Sequence, residues 1–276
     1  MTSASLPIIL DCLAYDDREE AYCADLTDEW TFYGRVFGGY LTALSTLAAI
    51  QARGDDSSLL SVNIVFVGSV RPGRVSFLPT TVRETKSTSV TEVRATQNGV
   101  TTSIAHVRFG SRESNTESAA AWTGDHLMPD DCVPPKWVRD NAAFLAHFDE
   151  RVIDFPLGHE EFRGGPPYIE LWSRPDDSAG PVPHQGQLHD LMIFDSHLLD
   201  SVFRVLGWVS WGVRIVSLDL NVTWLRLGES TGWRRLRADA EIGGDAAAIN
   251  ARLYSENGRL LAVAASQVAV LQKAAQ

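Results

Sequence analysis

Between Gly38 and Arg53 the chain carries Leu41, Leu44, Leu47, Ala48 and Ile50, joined by Ala43, Ala49 and Ala52. Apolar or small side chains therefore fall almost all round a helical period, the pattern of a helix wrapped by other structure. Gly54 closes the segment, and the pattern then changes. Ser61 to Val67, Arg74 to Arg83, Ser89 to Gln97 and Thr101 to Phe109 are rich in Val, Thr and Phe and predict consecutive strands. Asn98-Gly99 supplies the two positive-φ residues of a type I′ hairpin turn.

The same order returns in the second half. His189 to Leu206 predicts a helix closed by Gly207, followed by strands over Val213 to Leu225, Arg234 to Glu241, Ala247 to Tyr254 and Arg259 to Leu271. Three landmarks recur at nearly one spacing. The closing glycines lie 153 residues apart, the pairs Leu60-Ser61-Val62 and Val216-Ser217-Leu218 lie 156 apart, and Asn98-Gly99 and Asn257-Gly258 lie 159 apart. This is duplicated architecture, and each copy is an α+β unit: an antiparallel meander curled around one long buried helix. The expected organisation is an N-terminal repeat over residues 1–110, a linker over 111–140 and a C-terminal repeat over 141–276. Ser111 to Lys136 and the proline-bearing stretch Gly164 to Gln187 predict loops.

Composition removes several function classes. Hydrophobic residues make up 45% of the 276 and charged residues 21%, enough for a substantial core. A net charge of −11 repels a phosphate backbone, and no basic run offers a local patch, so no nucleic-acid partner is expected. Three cysteines, Cys12, Cys23 and Cys132, exclude a disulfide scaffold and have no zinc-site spacing. No stretch approaches a membrane span, and the first ten residues lack a basic region, so a cytoplasmic location is expected. His184, His189 and His197 with Asp190 have no shared metal-ligand spacing, and no metal is expected.

Two features carry chemistry on their own terms. At helical spacing the neighbours of Asp195 are Leu188, Leu191, Met192, Leu198, Leu199 and Val202, an apolar stripe with one carboxylate in it. Burying a charge is costly unless it is paired or used, and such groups concentrate at functional sites. The alternative is a helix starting at Ser196 with Asp195 as its N-cap. At the head of the first helix, Gly38-Gly39 allows close approach to backbone N–H groups, which can stabilise an oxyanion, or allows tight helix-to-sheet packing.

Beyond these, Trp30, Val36-Phe37-Gly38-Gly39-Tyr40-Leu41, Phe66 to Gly73 (Phe-x-x-x-x-Arg-Pro-Gly) and Gln97 in the first half resemble the TesB-like acyl-CoA thioesterases. In the second half, Trp172-Ser173-Arg174, Phe194-Asp195, Val216-Ser217-Leu218-Asp219 and Asn257-Gly258-Arg259-Leu260-Leu261-Ala262 do the same. The resemblance covers roughly residues 11–110 and 140–272. It implies a double hot-dog fold and hydrolysis of an acyl-CoA or acyl-carrier thioester, with no cofactor. It also implies that Asp195 activates the attacking water, that Ser217 orients it, and that a glutamine on the last strand assists. Here the glutamine's expected place, eight residues after the hairpin glycine, is Ser266, and the glutamine stands one later at Gln267. One position along a strand changes faces, so either a bulge restores Gln267 or Ser266 replaces it. Gly38, Gly39, Tyr40 and Lys86 are the expected substrate contacts, with Arg83 and Arg94 as further candidates for the CoA portion. Lys86 stands where the family often has an arginine in Arg-x-Gly-Arg-Ser. Edge strands of such meanders favour pairing, so a homodimer or higher assembly is expected. Two rival functions stay open. One is hydratase or dehydratase chemistry, although no Gly-Asp-x-Asn-Pro-x-His run is present; the other is non-catalytic binding of an acyl thioester.

Overall fold

A computed structural model describes residues 12–54, 57–111, 121–124, 127–136, 142–156, 163–175, 184–207, 213–226 and 232–272. Its two long helices are α1 (Gly38–Arg53) and α2 (Gln185–Leu206). The first repeat contributes β1 (Ala14–Asp16), β2 (Ala21–Leu26), the short pair β3 (Thr31–Phe32) and β4 (Arg35–Val36), and the strands β5 (Ser58–Phe66), β6 (Gly73–Glu84), β7 (Thr88–Gln97) and β8 (Val100–Gly110). The second contributes β9 (Phe148–Asp154), β10 (Tyr168–Pro175), β11 (Val213–Ser217), β12 (Asp219–Trp224), β13 (Arg234–Gly243), β14 (Ala246–Ser255) and β15 (Leu260–Gln272).

Among the described residues all strands but β3 and β4 form one antiparallel sheet, in the order β1-β2-β6-β7-β8-β5-β12-β15-β14-β13-β10-β9, with β11 also on β15. β5 and β12 join the two repeats through pairs such as Val62↔Val222 and Asn63↔Asn221. Strand alternation drives the curl. Val75, Phe77, Val93, Ala95, Ala105 and Val107 are buried beneath α1, and Leu236, Ala238, Ile249, Ala251 and Leu253 are buried beneath α2. Each meander wraps its helix, which is the double hot-dog arrangement.

The differences from expectation have local causes. α2 begins at Gln185, a full turn before His189, so Asp195 sits mid-helix and does not cap its own helix. The stretch Gly164 to Gln187, expected as loop, holds β10, whose proline-flanked ends hid Ile169, Leu171 and Trp172, all buried. The expected strand Val213 to Leu225 is broken at Leu218. Asn98 and Gly99 both have positive φ, as the type I′ turn requires; at the second hairpin only Gly258 does, and the loop is longer.

Candidate active site

The start of α1 is the natural origin of the site. The first N–H groups of a helix have no intrahelical partner, and the preceding Phe37 has no side-chain acceptor to cap them. Asp195, from the middle of α2, takes that role across the repeat boundary: its Oδ2 accepts the Gly39 N–H at 2.7 Å. The approach depends on glycine. A Cβ on Gly38 would lie 2.9 Å from Asp195 Oδ2 and 3.1 Å from Phe66 Cζ, and one on Gly39 would lie 3.0 Å from the Met192 Cα. The expected close packing is on both neighbours: Gly38 sits against Phe66 of the sheet, and both glycines let the two helices approach and a backbone N–H reach a carboxylate.

Asp195 is only partly exposed, and no cation pairs with it among the described residues. Burial lifts its pKa from the ordinary 3.8 to about 6, against the opposing pull of the Gly39 N–H. Its Oδ1 accepts no hydrogen bond among the described residues. A carboxylate that is poised near neutrality and keeps free lone pairs can accept a proton from water.

On the strand side Phe66 reaches Gly38, and a bulge lies beside the end of its strand. The Phe66 N–H bonds the Leu218 carbonyl at 2.9 Å, tying the end of β5 to the junction of β11 and β12. At that junction the register slips. Ser217 faces Val268, whereas Asn221 faces Ala265, which leaves Leu218 and Asp219 both opposite Gln267. Leu218 N–H bonds the Gln267 carbonyl at 2.9 Å, and Gln267 N–H bonds Asp219 Oδ1 at 2.7 Å. The bulge lets Ile215 and Ser217 share the inner face with Leu220 and Val222. The Ser217 hydroxyl has no partner within the chain among the described residues.

The bulge does not rescue the glutamine. It lies on the opposite strand, while β14 and β15 stay in one register from Ala246↔Ala269 to Leu253↔Ala262. Ser266 is accordingly buried and Gln267 exposed on the outer face, away from the helices. The expectation that Gln267 joins the site is corrected by this geometry. Ser266 holds the inward position, and its hydroxyl donates to the Asp219 carbonyl at 2.7 Å, pinning the bulge.

Two expected substrate contacts also lie elsewhere. Tyr40 is a core residue: its ring stacks on Trp30 at 4.3 Å, its hydroxyl meets Cys12 Sγ at 3.3 Å, and burial pushes its pKa up. Lys86 is exposed in the turn between β6 and β7, beside Glu84 and Ser89, which bind Arg53 at the far end of α1. The helix is 16 residues long, so that end lies about 22 Å from Gly38. Arg83 is exposed on the same hairpin, and Arg94 pairs with Glu92 at 3.2 Å on the sheet's outer face. Gln97, read only as part of the resemblance, bonds both the N–H and the carbonyl of Arg71 and so fixes the turn into β6.

The sequence reading missed the buried ion networks of the second repeat. His197 lies between Glu150 Oε1 at 2.7 Å and Asp200 Oδ2 at 2.9 Å, all three buried. Burial disfavours its imidazolium, but the Glu150 and Asp200 carboxylates win and raise its pKa to about 10. Asp190 accepts from Trp224 Nε1 and Arg234 Nε, both at 3.0 Å. His189 is neutral, held down to about 3 by burial and by Arg234. The spacing of His197 and Asp200, one helical turn, was the available signal.

The chain and its folding pattern have known relatives. A family model for the acyl-CoA thioesterase N-terminal domain matches residues 26–110, and one for the acyl-CoA thioesterase C-terminal domain matches residues 129–271. The chain belongs to the acyl-CoA thioesterase family. Among solved structures, this thioesterase-family chain is similar to a conserved protein of unknown function with a hot dog fold from Alicyclobacillus acidocaldarius, with a TM-score of 0.82, 18% identity and 97% and 99% of the two chains covered. It is also similar to the acyl-CoA thioesterase II TesB2 from Mycobacterium marinum, with a TM-score of 0.77, 18% identity and 96% and 98% covered. A tesB protein from Mycobacterium avium subsp. paratuberculosis aligns with a TM-score of 0.75, 17% identity and 97% and 100% covered. These likenesses establish the hot-dog fold. A comparison with curated protein sequences gives no match. Among the described residues, no helix is long and apolar enough to cross a membrane.

Proposed function

We propose that this protein hydrolyses acyl-CoA or acyl-carrier thioesters, with Asp195 as the general base towards water. The observation that carries the reading is an unpaired, partly buried carboxylate of raised pKa held against the N-terminus of α1. Water attacks the thioester carbonyl carbon as its proton passes to Asp195. Backbone N–H at Gly38 and Gly39 stabilises the developing oxyanion, and the Ser217 hydroxyl orients the water. Collapse of the intermediate expels the thiol, which recovers the proton from Asp195. No step calls on a metal or cofactor.

The test is free-thiol release from short, medium, long and aromatic acyl-CoAs, wild type beside Asp195→Ala. Release by wild type and its loss in the variant support the reading; full release by the variant sinks it. One observation favours a second reading, non-hydrolytic chemistry or binding of the same substrates: Ser266 holds the inward position on β15, and its hydroxyl is already committed to Asp219. An absorbance change on an enoyl thioester without thiol release would select the hydratase branch. Stabilisation by acyl-CoA without turnover would select the binder.

A further inference from the structure

The base and the oxyanion donor of this mechanism are bonded to each other. The Gly39 N–H points at Asp195 Oδ2 at 2.7 Å, and the absent side chain at Gly38 is what admits the carboxylate. A donor so engaged cannot also make a short, well-aligned bond to a thioester carbonyl. We propose that substrate binding is an exchange, in which the thioester carbonyl takes the Gly39 N–H from Asp195 and the released carboxylate becomes the stronger base for the attacking water. The inference rests on the thioester reading above and adds to it how the base is switched on.

The electrostatics favour this order. At Asp195 the Gly39 N–H is what opposes the effect of burial, and a hydrogen bond to the charged form always favours that form. Losing it lets burial act alone, so the affinity for a proton rises at the moment a proton must be taken. The neighbouring charges are otherwise engaged. On α2, Asp190 is satisfied by Arg234 and Trp224, His197 sits between Glu150 and Asp200, and His189 is neutral. α1 offers Tyr40 near its start and Arg53 at its far end; β5 presents Asn63 and Phe66; Arg214 lies on β11, and Asp219 on β12 accepts the Gln267 N–H. The two influences on Asp195 itself are burial and the Gly39 N–H. In the reacting complex the water oxygen bonds the carbonyl carbon, the carbonyl π pair becomes the oxyanion at Gly39 N–H, and the water proton goes to Asp195. The C–S bond then breaks as the oxyanion pair returns, and the proton leaves on the thiol.

Titration calorimetry in two buffers of different ionisation enthalpy counts the protons taken up on binding. The probes are an S-(2-oxoalkyl)-CoA, which carries a carbonyl, and the S-alkyl-CoA of equal length, which does not, each in short, medium and long forms. Between about pH 6 and 7 the exchange requires uptake of a fraction of a proton with the carbonyl probe and none with the alkyl probe. Asp195→Asn must abolish the uptake, its fold being checked by retained binding of the alkyl probe. Equal uptake with both probes, or none with either, overturns the exchange and leaves thioester recognition standing. Binding of neither probe at any length overturns the acyl-CoA reading, and the exchange with it.

Discussion

In α1 the buried polar residues are Thr42, Ser45 and Thr46, and each hydroxyl donates to the carbonyl four residues earlier, at Gly38, Leu41 and Thr42. In α2 they are Gln185, His189, Asp190, His197, Asp200 and Ser201, with Asp195 partly buried among them. The Ser201 hydroxyl donates to the Leu198 carbonyl within the helix, as the hydroxyls of α1 do; the ionisable groups Asp190, His197 and Asp195 instead find partners on β9, β12, β13 and α1. Aligning the closing glycines, Gly54 and Gly207, sets Gly39 with Met192 and Thr42 with Asp195. Gly39 and Met192 then meet each other at the helix crossing, as equivalent residues near a two-fold axis must. The duplication thus provides two equivalent places beside the helix crossing and fills one with a carboxylate and the other with a threonine bonded to its own helix. What the first repeat gives the site is a bare helix start, and what the second gives is charge.

The sharpest way to break this comparison is to exchange the roles. Asp195→Asn is expected to lower kcat for thioester hydrolysis by roughly 10²–10⁴-fold, the usual worth of a positioned base. Thr42→Val, at the equivalent place, is expected to leave it within about twofold. A steady-state assay of both variants checks the pair, and comparable losses would mean that the two places are not functionally distinct.

The stability of the two helices should differ as their polar groups do. His197→Phe leaves Glu150 and Asp200 buried without their shared cation, and is expected to cost about 3–5 kcal/mol in denaturant unfolding. Ser45→Ala removes a neutral bond and should cost about 1 kcal/mol. The sign with pH follows from the raised pKa of His197. Its contribution is full below the ordinary value of 6.5 and is lost as pH rises through about 10. A decline of wild-type stability across that window, missing from His197→Phe, is the expected record. A smaller effect sharpens the packing side: Gly38→Ala, forced against Asp195 and Phe66, should cost about 1–3 kcal/mol by overpacking. It should also reduce turnover, because the carboxylate is pushed off Gly39.

The sequence exposed the architecture because both repeats obey simple periods. The small-residue helix, the Val- and Thr-rich strands and the Asn98-Gly99 turn are local signals, and they recur. Asp195 was legible for the same reason, as one carboxylate in an apolar stripe. Its partner was not, because Gly39 is 156 residues away and only the helix crossing brings them together. The face occupied by Gln267 turned on which strand carried the bulge, and no single strand's sequence says that. Tyr40 and Lys86 were misplaced for a related reason: being adjacent to a motif does not show which way a side chain points or which end of a helix a turn lies beside. The His197 network was hidden because Glu150 reaches it from a strand that loop-like flanks concealed.

In the proposed mechanism Asp195, its pKa raised by burial, is the group that takes the proton from water. The pH dependence of kcat/KM on a good acyl-CoA substrate reports the free enzyme's essential base directly. Wild type should lose activity about tenfold per unit as pH falls below about 6, with the residual activity of Asp195→Asn showing no such limb. A wild-type profile that stays flat well below that value, or a limb of the same position in the variant, would contradict the assignment.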